Sequence, residues 1–205
     1  LTVVTRQLDL TVDLTLSTLL GAGSYTIFYF AQRIQLFPVS FVGMAFGQAS
    51  LPYLSELFTQ NKIAEIKKIF VDFLLQLLYI SIPLAILLIF ARTPIVRVIV
   101  GGKKFDWEST NLTALTLSIF ACSVPFHAIF YYITRCFYAI RNTRIPFIIN
   151  VISTIINVFI SLYMVLIAKF PVWSLALSFS IAIICNVAIS RGLCYREIGG
   201  YDGRK

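Results

Sequence analysis

Arg33 sits where hydrocarbon is expected, inside the apolar stretch Ser24–Pro38 that continues to Phe46. A guanidinium at mid-membrane costs roughly 2.5–3.5 kcal/mol on insertion scales, so such a residue faces a bundle interior or a wet cavity. Its planar fork donates two parallel hydrogen bonds and keeps its charge in low dielectric, which suits phosphate. Gln32 and Gln35 flank it. They are candidates for binding sugar or amide groups, or for interhelical hydrogen bonds. Upstream, Arg6, Asp9, Asp13 and Ser17 share one helix face at spacings of three and four. With the chain folded as a hairpin about Gly21–Ser24, Asp13 and Arg33 each lie about ten residues from the turn, roughly 15 Å deep. The two either pair or face a common cavity. Three chemistries are open. One is a structural buried ion pair. Another is a cationic site at Arg33 for an anionic substrate, with Asp13, Asp9 and Arg6 balancing or switching charge. The third is a proton- or cation-coupling carboxylate at Asp13 or Asp9.

The elements that hold these residues are membrane spans. The chain is 59% hydrophobic and 13% charged, against about 45–50% and 25% for a soluble domain. Its mean hydropathy is +0.87. These values predict an all-α polytopic membrane protein with about six spans, at roughly 30 residues for each span and connection. Apolar runs place the spans at about 1–20, 25–47, 69–91, 109–134, 146–168 and 172–191, a six-helix region over 1–193 followed by a polar tail over 194–205. Pro38 and Gly43 mark distortion points in the second span, while Pro83 and Pro125 lie inside the third and fourth. Segment 48–68 is expected to leave the membrane, and 92–107 to form a basic, glycine-containing connection. The chain opens without Met inside a helical pattern, which reads as a fragment of a longer protein.

Loop charge orients the spans. The net charge of +8 is scattered between apolar runs, which speaks for membrane orientation rather than for nucleic acid. The connections at 62–68, 135–144 and beyond 191 are richer in Lys and Arg than those at 92–104 and 169. The first side, including both chain ends, is expected to be cytoplasmic.

The remaining polar residues suggest packing. Asn150, Ser153, Asn157 and Ser161 form a stripe at helical spacing, and Ser174, Ser178, Asn186 and Ser190 dot the last span. Cys122, Cys136, Cys185 and Cys194 form no close pair and are read as small packing residues. His127, the single histidine, is read as structural. There is no metal-ligand spacing, no G-x-S-x-G and no phosphate-binding glycine loop. No metal, cofactor or catalytic set is expected.

Specific motifs add a family. The run Gly23-Ser24 … Phe28-Tyr29-Phe30-Ala31-Gln32-Arg33-Ile34 … Leu36-Phe37-Pro38 … Gly43-Met44-Ala45-Phe46-Gly47 … Leu51-Pro52-Tyr53-Leu54-Ser55 resembles the lipid II flippases of the MurJ/MviN family. Phe137-Tyr138-Ala139-Ile140-Arg141-Asn142-Thr143-Arg144-Ile145-Pro146 is similar to a second family motif, Gln7 and Asp13 match in the first span, and Val100–Phe105 matches the family's glycine connection with one extra residue. The resemblance covers nearly the whole chain. It implies the second six-helix lobe, spans seven to twelve, of a MATE-like two-lobe transporter in the multidrug/oligosaccharidyl-lipid/polysaccharide exporter superfamily.

It also implies the substrate: an undecaprenyl-pyrophosphate-linked peptidoglycan precursor, moved by alternating access across the bacterial cytoplasmic (inner) membrane. The partners implied are that lipid-linked pyrophosphate oligosaccharide, membrane lipid and a first lobe, with Arg33 as the family's functional arginine. The chain departs from the family where Gln32 replaces an aspartate, and the first-lobe arginines lie elsewhere. Rival functions are a polysaccharide-unit flippase, a drug/cation antiporter driven by Asp9 or Asp13, and a non-transporting membrane scaffold.

Overall fold

This computed structural model describes the backbone over residues 2–21, 23–60, 62–101, 106–139 and 143–199, and the side chains of those residues except 2–10, 63 and 194–199. The side chains of Arg6, Gln7 and Asp9, most of the glycine connection and residues 200–205 therefore lie outside the described residues, while the backbone of the expected tail is helical to Gly199. Eight α-helices are described: α1 (Thr2–Leu19), α2 (Ser24–Val39), α3 (Ala45–Thr59), α4 (Ile63–Phe90), α5 (Arg92–Val100), α6 (Trp107–Ala139), α7 (Arg144–Leu162) and α8 (Trp173–Gly199). Five stretches, Ser24–Thr59, Ala64–Phe90, Trp107–Ala139, Arg144–Ile167 and Trp173–Leu193, are long and apolar enough to cross a membrane. The remaining expected span corresponds to α1, whose sequence carries three charged residues. Among the described residues there is no strand. In hydrocarbon every backbone N–H and C=O must be satisfied within its own segment, and helices do that.

Pro38 and Gly43 flank a distortion, as expected, and do not end the helix. One turn of π-helix, Ser40–Met44, absorbs the distortion and joins α2 to α3 in one run, Ser24–Thr59. The chain therefore stays helical well beyond residue 47, and α4 resumes after a short connection. The expected connection at 92–107 holds the helix α5 instead, with Val96 fully buried and Val98 and Ile99 exposed. Gly101 obscured that amphipathic turn in the sequence. A second π-turn, Tyr163–Ile167, extends α7. The hairpin between α1 and α2 needs glycine, because Gly21 and Gly23 adopt φ of 124° and 87°.

α6 is the central post, packing against α2, α3, α4, α5 and α8, while α7 bridges α8 and α1. Around its upper half Phe120 contacts Phe28 and Phe179, with ring centroids 5.5 and 5.6 Å away. Lower down, Tyr132 stacks on Phe70 at 5.3 Å and donates from its hydroxyl to the Phe70 carbonyl at 3.2 Å. Large apolar side chains such as Tyr79, Phe90, Val98 and Phe159 point outward, as a lipid-bathed bundle requires.

Gly43 and Gly47 let α6 approach closely. A Cβ on Gly43 would stand 3.2 Å from the Ala128 Cα and 3.3 Å from the Tyr131 Cβ, and one on Gly47 only 2.8 Å from the Arg135 Cγ. Small residues four apart are a common device for close helix packing in membranes. Gly43→Val is expected to cost about 1–3 kcal/mol, read as a lower melting temperature of the purified protein. An unchanged melting temperature would show that α6 yields freely at this crossing.

Candidate functional site

Arg33 lies nine residues beyond the start of α2, roughly 14 Å along the helix axis. Its neighbours Ala31, Gln32, Ile34 and Gln35 are buried, but Arg33 is exposed. Its guanidinium carbon sits 5.0 Å from the centre of the Tyr29 ring, a cation–π contact that steadies the charge. Among the described residues the ion pair found is Lys62–Glu65, at 3.4 Å. Arg33 thus presents its hydrogen-bond donors outward from the middle of an apolar helix. A cation there is costly against lipid tails; Phe37 and Phe41, four and eight residues further along the same face, are also exposed.

Asp13 is not its partner. Although the two residues share a depth, Asp13 is fully buried while Arg33 is exposed. The Asp13 carboxylate instead accepts from Asn157 Nδ2 at 2.9 Å and from Ser161 Oγ at 3.0 Å. Equal depth fixes height along the bundle but not the direction around each helix. α1 turns this face toward α7, and charge-assisted hydrogen bonds satisfy the carboxylate there. The polar stripe on α7 is divided between two neighbours: Asn157 and Ser161 serve α1, and Ser153 donates to the Ala182 carbonyl of α8 at 3.1 Å. Ser17 is buried on the same side of α1 as Asp13.

Gln35 turns inward. It is fully buried, and its amide nitrogen lies 3.3 Å from Ser123 Oγ and 3.5 Å from His127 Nδ1. It knits α2 to α6 and is placed away from the Arg33 face. His127 stacks on Tyr131 at 5.4 Å and contacts Phe179 at 5.5 Å, a packed interior setting. Gln32 is 3% exposed, and its amide nitrogen has no hydrogen-bond partner. It lines a cleft of about 40 Å³ of mixed character, with Asn150, Ser153 and Asn186 beside Leu36, Phe130 and Phe179. That volume admits roughly one or two water molecules, which would satisfy the orphaned amide. Of the cysteines, Cys136 is buried, Cys185 is partly buried and Cys122 is exposed; Cys194 lies outside the described side chains. Among the described residues no cluster of His, Cys, Asp and Glu could hold a metal ion.

The profile of the family described as lipid II flippase MurJ matches residues 1–205, the whole chain. The chain belongs to the MurJ lipid II flippase family. A probable lipid II flippase MurJ of Rickettsia prowazekii is 31% identical over 74% of this chain and 30% of its own length. One from Bdellovibrio bacteriovorus is 26% identical over 91% of this chain and 35% of its own length. The chain spans about a third of the length of these curated relatives. Among solved structures, a lipid II flippase MurJ in an inward closed conformation superposes with a TM-score of 0.84 at 27% identity, covering 94% of this chain and 40% of the other. An outward-facing MATE family multidrug transporter has the same fold, with a TM-score of 0.76 at 10% identity over 96% of this chain and 42% of its own. The fold is therefore that of one lobe of a MATE-like two-lobe transporter.

Within this MurJ-family lobe, the Asp13–Asn157–Ser161 cluster is what reading along the sequence missed. A signal existed: Asn157 and Ser161 are four apart in an otherwise apolar helix. Nothing in that spacing tells which neighbouring helix they meet.

Proposed function

We propose that this chain is the second lobe of a lipid II flippase. It moves an undecaprenyl-pyrophosphate-linked peptidoglycan precursor from the cytoplasmic to the periplasmic leaflet of the bacterial cytoplasmic membrane. The observation that supports this is Arg33, a cation held exposed in the middle of the apolar stretch Ser24–Thr59. A first lobe facing α2 would close a cationic cavity around the pyrophosphate while the polyprenyl tail stays in lipid. The guanidinium fork supplies two parallel hydrogen bonds to phosphate oxygens. Gln32, beside it in sequence, lines a small cleft behind the site. The loop-charge asymmetry supports placing both ends of the chain on the cytoplasmic side.

Asp13 is assigned charge balance or coupling. Its buried carboxylate, supplied with donors by α7, is a place where a proton or a monovalent cation changes the packing between two helices. Membrane potential is a second source of work, at about 2.3 kcal/mol per charge per 100 mV, able to reset an empty cationic carrier.

Arg33→Lys in the complete protein tests the phosphate assignment. Lysine keeps the charge and loses the fork, so lipid II transport in vesicles should fall roughly tenfold. A carboxylate-driven drug or cation antiporter would be indifferent to the change.

A further inference from the structure

We infer that the cleft between α5 and the outer turns of α6 is a headgroup site for a membrane phospholipid, with the phosphate at Arg92 and an amine at Glu108. It does not rest on the assignment of Arg33. α4 and α6 run antiparallel, since Phe70 near the start of α4 stacks on Tyr132 near the end of α6. The end of α4 and the start of α6 therefore lie at one end of the bundle, with α5 between them in the chain. The cleft there holds about 470 Å³, within the usual range for a small-molecule site. Arg92, Trp107, Glu108 and Asn111 line its polar part, and Leu112 and Leu115 its apolar part.

Level says what fills it. α6 has 33 residues, about 50 Å of helix, against a hydrocarbon core of about 30 Å. Its ends must reach the headgroup layers, and the outer turns at this end expose Trp107, Glu108 and Asn111. Tryptophan is enriched at that boundary. One turn beyond Asn111, Leu115 is 40% exposed, and Phe90 at the end of α4 is 84% exposed, apolar surface of the kind acyl chains cover. The cleft straddles the change from polar to apolar, as a phospholipid does.

Charge says which phospholipid. Arg92 donates from Nη1 to Ser118 Oγ at 3.0 Å, eleven residues inside the start of α6 and about 16 Å along its axis. That bond holds the guanidinium below the outer turns of α6, beside the cleft. A guanidinium has five donors, so others remain for an anion. Arg97 is engaged elsewhere, 4.5 Å over the Trp107 ring. Glu108 lies ten residues before Ser118, nearer the surface. Neither Arg92 nor Glu108 is in an ion pair among the described residues, where the ion pair found is Lys62–Glu65. A cation set deep and a carboxylate set high, lining one cleft without meeting, match a phosphate below an ammonium. A purely anionic headgroup would face the carboxylate as a like charge, which is costly. The pair therefore selects an aminoalkyl phosphate ester.

The test titrates the complete, delipidated protein in detergent with phosphatidylethanolamine or with phosphatidylglycerol of the same acyl chains, and reads bound lipid by native mass spectrometry. Wild type is expected to hold the ethanolamine lipid about fivefold more tightly. Arg92→Ala should weaken that binding about tenfold. Glu108→Gln should remove the preference by weakening the ethanolamine lipid alone. Melting temperature, read alongside, should move little because both side chains are exposed. Undiminished binding of phosphatidylethanolamine by Arg92→Ala overturns the site. A wild type without the preference, or a Glu108→Gln variant that keeps it, overturns the assignment of the amine to Glu108.

Discussion

Arg33→Ala in the complete protein is expected to lower lipid II transport by about 100-fold or more while leaving the protein folded. The magnitude follows from what is removed. Two charge-assisted hydrogen bonds to phosphate are together worth about 3 kcal/mol, and each 1.4 kcal/mol is a factor of ten. Folding should be spared because Arg33 is exposed and its described contact within the lobe is the Tyr29 ring. Removing a cation from mid-membrane should if anything ease insertion. The measurement pairs transport in proteoliposomes with melting temperature and expression level. Full transport by the alanine variant would remove the cationic site and favour a scaffold role for the lobe. Loss of transport together with loss of folding would instead make Arg33 a structural residue paired with the other lobe.

Asp13 is expected to separate stability from coupling. Asp13→Leu leaves the Asn157 amide and the Ser161 hydroxyl without the acceptor they now share. A buried donor that loses its acceptor costs about 1–3 kcal/mol, so this variant should melt below wild type. Asp13→Asn keeps the shape and one acceptor oxygen but abolishes the ionisable group. It should fold near-normally, yet transport should lose its response to an imposed proton or sodium gradient. If the gradient response of Asp13→Asn matches wild type, the carboxylate only fastens α1 to α7.

Much of the architecture can be read along the chain, for a simple reason. A lipid environment forces long apolar segments to be helices, so counting apolar runs counts helices, and α4, α6, α7 and α8 fall where those runs do. The weaker signals show where such counting ends. Pro38 and Gly43 mark a distortion correctly, but proline and glycine do not say whether a helix breaks or takes one wide turn, and here it takes the π-turn at Ser40–Met44. α5 hides because nine residues followed by a glycine resemble a loop until Val96 is seen packed into the core.

The site divides the same way. That Arg33 is exceptional follows from residue type and depth alone, since no packing makes a guanidinium cheap in hydrocarbon. Which way it points does not. Gln32, Arg33 and Gln35 are near neighbours in sequence, yet the helical turn sends Gln35 into α6, Gln32 to a small cleft and Arg33 outward. Depth along the hairpin allows Asp13 to pair with Arg33 or to share a cavity with it, but the packing of α1 on α7 gives it Asn157 and Ser161, far away along the chain. The sequence alone determined the class of the protein, its helices and the residue whose cost demands a purpose, because these depend on transfer free energies that each segment carries with it. Only the tertiary structure decided who partners whom, because azimuth around a helix is set by the packing of the whole bundle.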